Sequence, residues 1–118
     1  MIEVNEYVRT NKGNIGKVVE IRLGFNKDTQ LYQNVYMLDN GLWTILEYIV
    51  NHSKQLIDLV EVGDYVNGHL VEEVRISCFD SLIFVHEYEI ELREKDIKTI
   101  LTKESYMANC YKVGGEDE

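Results

Sequence analysis

The chain has 118 residues, with 21 Asp and Glu against 12 Lys and Arg, two Cys, eight Tyr and no Pro. A chain of this length buries about two-thirds of the surface it exposes when unfolded, so a core forms without a disulfide or metal staple. The formal charge of −9 argues against sequence-independent binding to nucleic acid, which needs clustered Lys and Arg, and against an anionic membrane surface.

Val, Ile and Tyr supply 32 of the 118 residues while Ala occurs once, at Ala108, so the apolar content suits a pleated surface and a mainly β fold is expected. Residues 4–10 alternate, with Val4, Glu6 and Val8 on one side, and run into the turn Asn11-Lys12-Gly13-Asn14-Ile15-Gly16. A second strand over 17–23 places Val19, Ile21 and Leu23 at period two. A polar loop (25–30), a third strand (31–38), the tight turn Asp39-Asn40-Gly41 and a fourth strand (42–47) follow. A short helix is expected near 46–54, then extended chain. Val62-Gly63-Asp64-Tyr65-Val66-Asn67-Gly68 restarts the strand-turn pattern, with strands over 69–76 and 82–92. Thr102 caps a short helix over 103–109. One compact domain over 1–113 is expected, with candidate halves 1–60 and 61–113 and an acidic tail over 114–118. The start, Met1-Ile2-Glu3-Val4-Asn5-Glu6, has no basic or apolar leader region, and no stretch approaches ~18 uninterrupted apolar residues; a soluble cytoplasmic protein is expected.

Val4-Asn5-Glu6-Tyr7-Val8 laid over Val62-Gly63-Asp64-Tyr65-Val66 gives an echo at an offset of 58 residues, about half the chain. Each copy is followed by a glycine turn and an apolar strand. Such units fit small SH3-like antiparallel barrels, either two sharing a core or one with an elaborated second half. In this reading the acid enters ahead of an aromatic and a valine while the turn before it stays wet.

Three segments carry a resemblance: Tyr48-Ile49-Val50-Asn51-His52-Ser53-Lys54, the run from Ile57 through Gly68, and Asp96-Ile97-Lys98-Thr99-Ile100-Leu101-Thr102-Lys103-Glu104, with Glu6-Tyr7-Val8-Arg9-Thr10 matching moderately. The chain resembles an uncharacterised family of small proteins from phages and prophages of Gram-positive bacteria. In that family the last motif continues with Gln and an aromatic; here Ser105 replaces the Gln and Tyr106 keeps the aromatic. The resemblance implies a viral genome context and a small-barrel fold, and assigns no catalytic residue.

The sharpest local feature is His86-Glu87-Tyr88-Glu89-Ile90-Glu91-Leu92-Arg93-Glu94. As one strand it sets Glu87, Glu89 and Glu91 on one face, about 6.6 Å apart, with Tyr88, Ile90 and Leu92 opposite. The plain alternative is a solvated face whose like charges discourage edge-to-edge aggregation. A row imitating phosphates would be too sparse alone, since duplex DNA carries one charge per ~1.7 Å, and would need Glu72, Glu73, Glu94 and Asp96 to converge on it. Charge distribution favours such a face: residues 1–60 hold 7 acids and 6 bases, residues 61–118 hold 14 and 6. That field steers a basic partner.

Tyr32, Tyr36 and Trp43 form a candidate aromatic platform, with packing on the core as the alternative. His52, His69 and His86 lack metal-ligand spacing, Cys78 and Cys110 form no CxxC pair, and no nucleophile elbow surrounds a serine, so no metal, cofactor or catalytic site is expected. Whether Cys78 and Cys110 pair stays open. Gly13-Asn14-Ile15-Gly16-Lys17 lacks phosphate-loop spacing and reads as a hairpin turn. The expected function is therefore a non-enzymatic, phage-encoded inhibitor of a host nucleic-acid-handling or defence protein with a basic surface, of anti-CRISPR or anti-restriction type. A structural or assembly module that self-associates or packs in a virion is the alternative.

Overall fold

The computed structural model describes residues 1–75, 81–85 and 90–110. The first sheet contains β1 (Tyr7–Thr10), β2 (Ile15–Asn26), β3 (Leu31–Leu38), β4 (Trp43–Ile45) and β5 (Ile49–Ser53) in the order β4-β3-β2-β1-β5. The second contains β6 (Tyr65–Val66), β7 (His69–Arg75), β8 (Leu82–Val85), β9 (Ile90–Leu92) and β10 (Ile100–Leu101) in the order β10-β6-β7-β8-β9. Read from its other edge, that is the same succession of partners. Every pairing is antiparallel. In both units a 3-10 turn precedes the fifth strand, Leu46–Tyr48 in one and Glu94–Asp96 in the other. Among the described residues the fold is mainly β with one short helix, α1 (Lys103–Asn109). Neither sheet closes on itself among the described residues; β4 and β5 edge one, β9 and β10 the other.

The echo seen in the sequence is an equivalence of backbone hydrogen bonding. Asn5 and Gly63 both have positive φ, 81° and 100°, where the chain turns into the first strand of each unit. Val18 N donates to Glu6 O at 2.8 Å, as Val71 N does to Asp64 O. The side chains also match: Glu6 Oε2 accepts from Glu3 N at 3.1 Å, and Asp64 Oδ2 from Glu61 N at 2.8 Å. Both acids are buried, and each closes the preceding turn onto the backbone.

Each unit has its own core. Ile2, Val8, Val18, Tyr36 and Leu38 fill the first, with Ile21 and Ile49 against them. Ile57, Val60, Val66, Val71, Ile83 and Val85 fill the second, with Val74, Leu92, Ile97 and Ile100. A bulge between Val18 and Glu20, matched between Val71 and Glu73, sets which residues face inward. The expected inward set Val19, Ile21, Leu23 is thereby corrected: Val18 is fully buried while Val19 and Leu23 are 46% and 68% exposed.

Two further expectations change. The helix near 46–54 is only the 3-10 turn Leu46–Tyr48, after which Ile49–Ser53 pairs with β1, where β-branched Ile49 and Val50 fit a pleated strand. The single strand over 82–92 is two, β8 and β9, paired antiparallel with Val85 opposite Ile90. By contrast α1 has the expected bounds, with Thr102 Oγ1 accepting from Ser105 N at 3.2 Å. The helix start docks on the β1–β2 turn, where Thr102 Oγ1 donates to Gly13 O at 2.7 Å. Gly13 has φ +86°, and a Cβ there would lie 2.4 Å from Thr102 Oγ1. In the β6–β7 turn, Asn67 Nδ2 donates to Asp96 O at 2.9 Å and its Oδ1 accepts from Lys98 N and Thr99 N. Residues 111–118, including the acidic tail, lie outside the described residues.

Candidate functional site

Ladder register aligns Glu73, Phe84 and Glu91 in one row across β7, β8 and β9. Ile83 and Val85 on either side of Phe84 belong to the core, so this row occupies the outer face of the second sheet. With strands ~4.8 Å apart, the two carboxylate-bearing positions stand ~10 Å apart. Both acids are exposed. Arg75 lies over the Phe84 ring at 4.8 Å and donates from Nε to Glu73 at 2.6 Å, which partly neutralises one of them. Glu72, in the bulge, is exposed as well. Glu94 is committed elsewhere: its carboxylate accepts from Leu56 N at 3.2 Å and Ile57 N at 2.7 Å, closing the start of the 3-10 turn Leu56–Leu59. Glu87 and Glu89 lie outside the described residues. Of the acids proposed from sequence, the fold thus brings Glu73 and Glu91 together, places Glu72 beside them, and removes Glu94.

The three aromatics do not form one platform. Tyr32 and Tyr36 share strand parity, but β4 covers only Val35 to Met37 of β3, so the outer end of the β2–β3 hairpin projects past its neighbours. Tyr36 is accordingly buried in the core, while Tyr32 is 68% exposed and stacks edge-on against Phe25 at 5.1 Å. Trp43, half-exposed, has the Arg22 guanidinium over its ring at 5.4 Å.

Trp43 instead lines a groove of about 340 Å³, facing Tyr48 of the 3-10 turn and Asn11, Lys12 and Asn14 of the β1–β2 turn, with Leu38, Leu42, Thr10 and Thr44 completing it. Backbone bonds hold the walls: Asn11 N donates to Tyr48 O, and Leu38 N to Leu42 O, both at 2.8 Å. Among the described residues no carboxylate lines this groove, in a chain with 21 acids. Tyr48 and Lys12 were not singled out from sequence, because they sit in separate connections that only the β1–β5 pairing brings together.

The units meet at Arg9, whose side chain is fully buried. Its Nη1 donates to Leu59 O at 2.9 Å and to Asp64 Oδ2 at 2.6 Å; Nη2 donates to Asp64 Oδ1 at 3.0 Å and to Glu104 Oε1 at 2.7 Å. Nε, 3.5 Å from Glu61 Oε2, makes no hydrogen bond. Burial pulls the guanidinium pKa down, but the bonds and charge of Asp64, with Glu104 and Glu61, outweigh it and hold the pKa above its ordinary value. Lys103 reinforces the cluster, its Nζ 2.7 Å from Glu61 Oε1 and its N donating to Asp64 Oδ1 at 2.9 Å. The hydrogen bond to Glu61 raises the Lys103 pKa against the effect of burial. This bidentate, buried arrangement joins β1, the 3-10 turn Leu56–Leu59, the segment leading into β6, and α1.

Among the described residues no group of three or more His, Cys, Asp and Glu is placed to hold a metal ion. His52 Nδ1 donates to Glu6 Oε1 at 2.7 Å. His86 and Cys78, and with Cys78 the question of its pairing with Cys110, lie outside the described residues. No described helix is long and apolar enough to cross a membrane. Comparisons with protein families, with curated proteins and with solved structures find no match.

Proposed function

We propose that this is a non-enzymatic binding protein of phage or prophage origin, built from two SH3-like units, that acts in the host cytoplasm as a stoichiometric inhibitor of a nucleic-acid-handling or defence protein. Five antiparallel strands, the fifth returning to the first after a 3-10 turn, support the SH3-like assignment in each unit. The observation that carries the function is the exposed Glu73–Glu91 row on the sheet of the half that holds 14 acids against 6 bases. An ordered sheet presents those charges without reorganisation, and a basic surface complements them.

A pull-down from host lysate at low and moderate salt tests this reading. Basic nucleic-acid-binding or defence proteins should be enriched, released by salt, and lost with Glu73→Lys/Glu91→Lys but retained with Glu20→Lys in the first unit. Enrichment of no such protein, or capture and inhibition indifferent to the double reversal, rejects it. An assembly module is a second reading, favoured by the β2–β3 hairpin, where Leu23, Phe25, Leu31 and Tyr32 are all at least half exposed. Light scattering separates the two, since assembly requires a defined homo-oligomer that Phe25→Ser dissolves.

A further inference from the structure

We infer that the groove beside Trp43 binds an extended acidic peptide segment, and that only the first of the two units does so. Its volume of about 340 Å³ falls at the lower end of the range typical of ligand sites, and its walls are fixed by backbone bonds before any ligand arrives. Trp43 and Tyr48, 43% and 47% exposed, offer apolar surface to the groove, although the Arg22 guanidinium covers one face of the Trp43 ring at 5.4 Å.

Of the polar groups around them, the Thr10 and Thr44 hydroxyls bond the chain's own backbone, while the side-chain amide and ammonium groups are uncommitted. Asn26, Asn40, Asn51 and Asn67 all spend their side chains on the chain's own backbone. The side chains of Asn11 and Asn14 make no hydrogen bond, and Lys12 makes no ion pair, among the described residues. Carboxamides that both donate and accept match the alternating N–H and C=O groups of an extended peptide. Among the described residues Lys12 is the one charge lining the groove, and Glu47, beside Tyr48 in sequence, does not line it. The complementary ligand therefore carries a carboxylate near an apolar side chain. A nucleic-acid strand needs a basic track along several phosphates, and one lysine on a chain of formal charge −9 does not supply it.

The second unit provides the internal contrast. Glu91, opposite Phe84, occupies the register position that Trp43 holds opposite Met37. Asp96 ends the second 3-10 turn where Tyr48 ends the first. The same backbone thus bears carboxylates in place of both aromatic walls, which removes the apolar faces and repels an acidic ligand.

Trp43 is the single tryptophan of the chain, so its fluorescence reports on the groove alone. The full chain would be screened against an array of random-sequence peptides and the hits titrated by Trp43 emission. The hits should combine Asp or Glu with an apolar or aromatic residue, shift the emission, and saturate at one peptide per chain. Lys12→Glu, at an exposed turn, should weaken them about fivefold, the worth of one partly solvated ion pair, and improve the same peptides rewritten with Lys for the acid. Tyr48→Ala should lower affinity with the melting temperature retained. The inference is overturned if the hits show no acidic preference, if Lys12→Glu leaves them unchanged, if two peptides bind per chain, or if oligothymidine displaces them.

Discussion

Two buried carboxylates do the same work on the backbone with different partners, Glu6 beside His52 and Asp64 beside Arg9. The hydrogen bond from His52 holds the Glu6 carboxyl below its usual 4.5, against the opposing effect of burial. A carboxylate depressed in the folded state stabilises fully above its unfolded pKa, and that contribution is lost as pH falls through the folded value. Thermal melts of the native chain and Glu6→Gln should therefore differ most above the ordinary carboxylate value of 4.5 and converge as the pH falls below it. A gap that widens on acidification would show that the carboxylate is not the stabilising form. Glu6 and Asp64 were legible in sequence because each precedes Tyr-Val in the repeated pentad. Arg9 was not, since a charged residue in an alternating strand reads as solvent-facing and only the fold shows three acids closing on it.

At the level of elements, the bulge after Val18 decides the packing of the longest strand. Strict alternation selects Val19, but the extra residue turns Val18 inward and leaves Val19 at the surface. Val18→Ala should cost about 2 kcal/mol in denaturant unfolding, while Val19→Ala should stay within about 0.5 kcal/mol. Equal costs would place both on the core. Helix α1 was legible because a capping Thr precedes it. The segment 46–54 was misread because Leu46, Ile49 and Val50 fit helical spacing equally well, and pairing with β1 settles the matter in favour of a strand.

At the scale of the whole molecule, two cores are joined by an ionic contact around Arg9. Arg9→Leu leaves Asp64, fully buried, without its guanidinium and should cost about 3 kcal/mol. It should also uncouple the units, so that the calorimetric enthalpy of unfolding exceeds the van't Hoff value where the native chain shows agreement. A single coincident transition in the variant would assign the coupling to other contacts. The repeat itself was visible over only five residues for a concrete reason. Its offset is 58 residues at Tyr7 and Tyr65, 53 at Val18 and Val71, and 48 at Trp43 and Glu91. Shorter connections in the second copy shift the alignment, and matched strands lose their common spacing.

The Asn-Gly turns that reverse the chain in each unit also give the protein a chemical age. When a glycine nitrogen attacks the preceding asparagine's side-chain carbonyl, ammonia leaves and a cyclic imide forms, which water then opens to a carboxylate. Asn67 is restrained from this by three hydrogen bonds to residues 96–99. Asn40 is exposed and held mainly by Leu42 N at 3.0 Å. Stored protein should therefore gain its first new negative charge at Asn40, one turn from Trp43, where an acid works against the groove's ligand. Freshness of the sample thus becomes a variable of its binding.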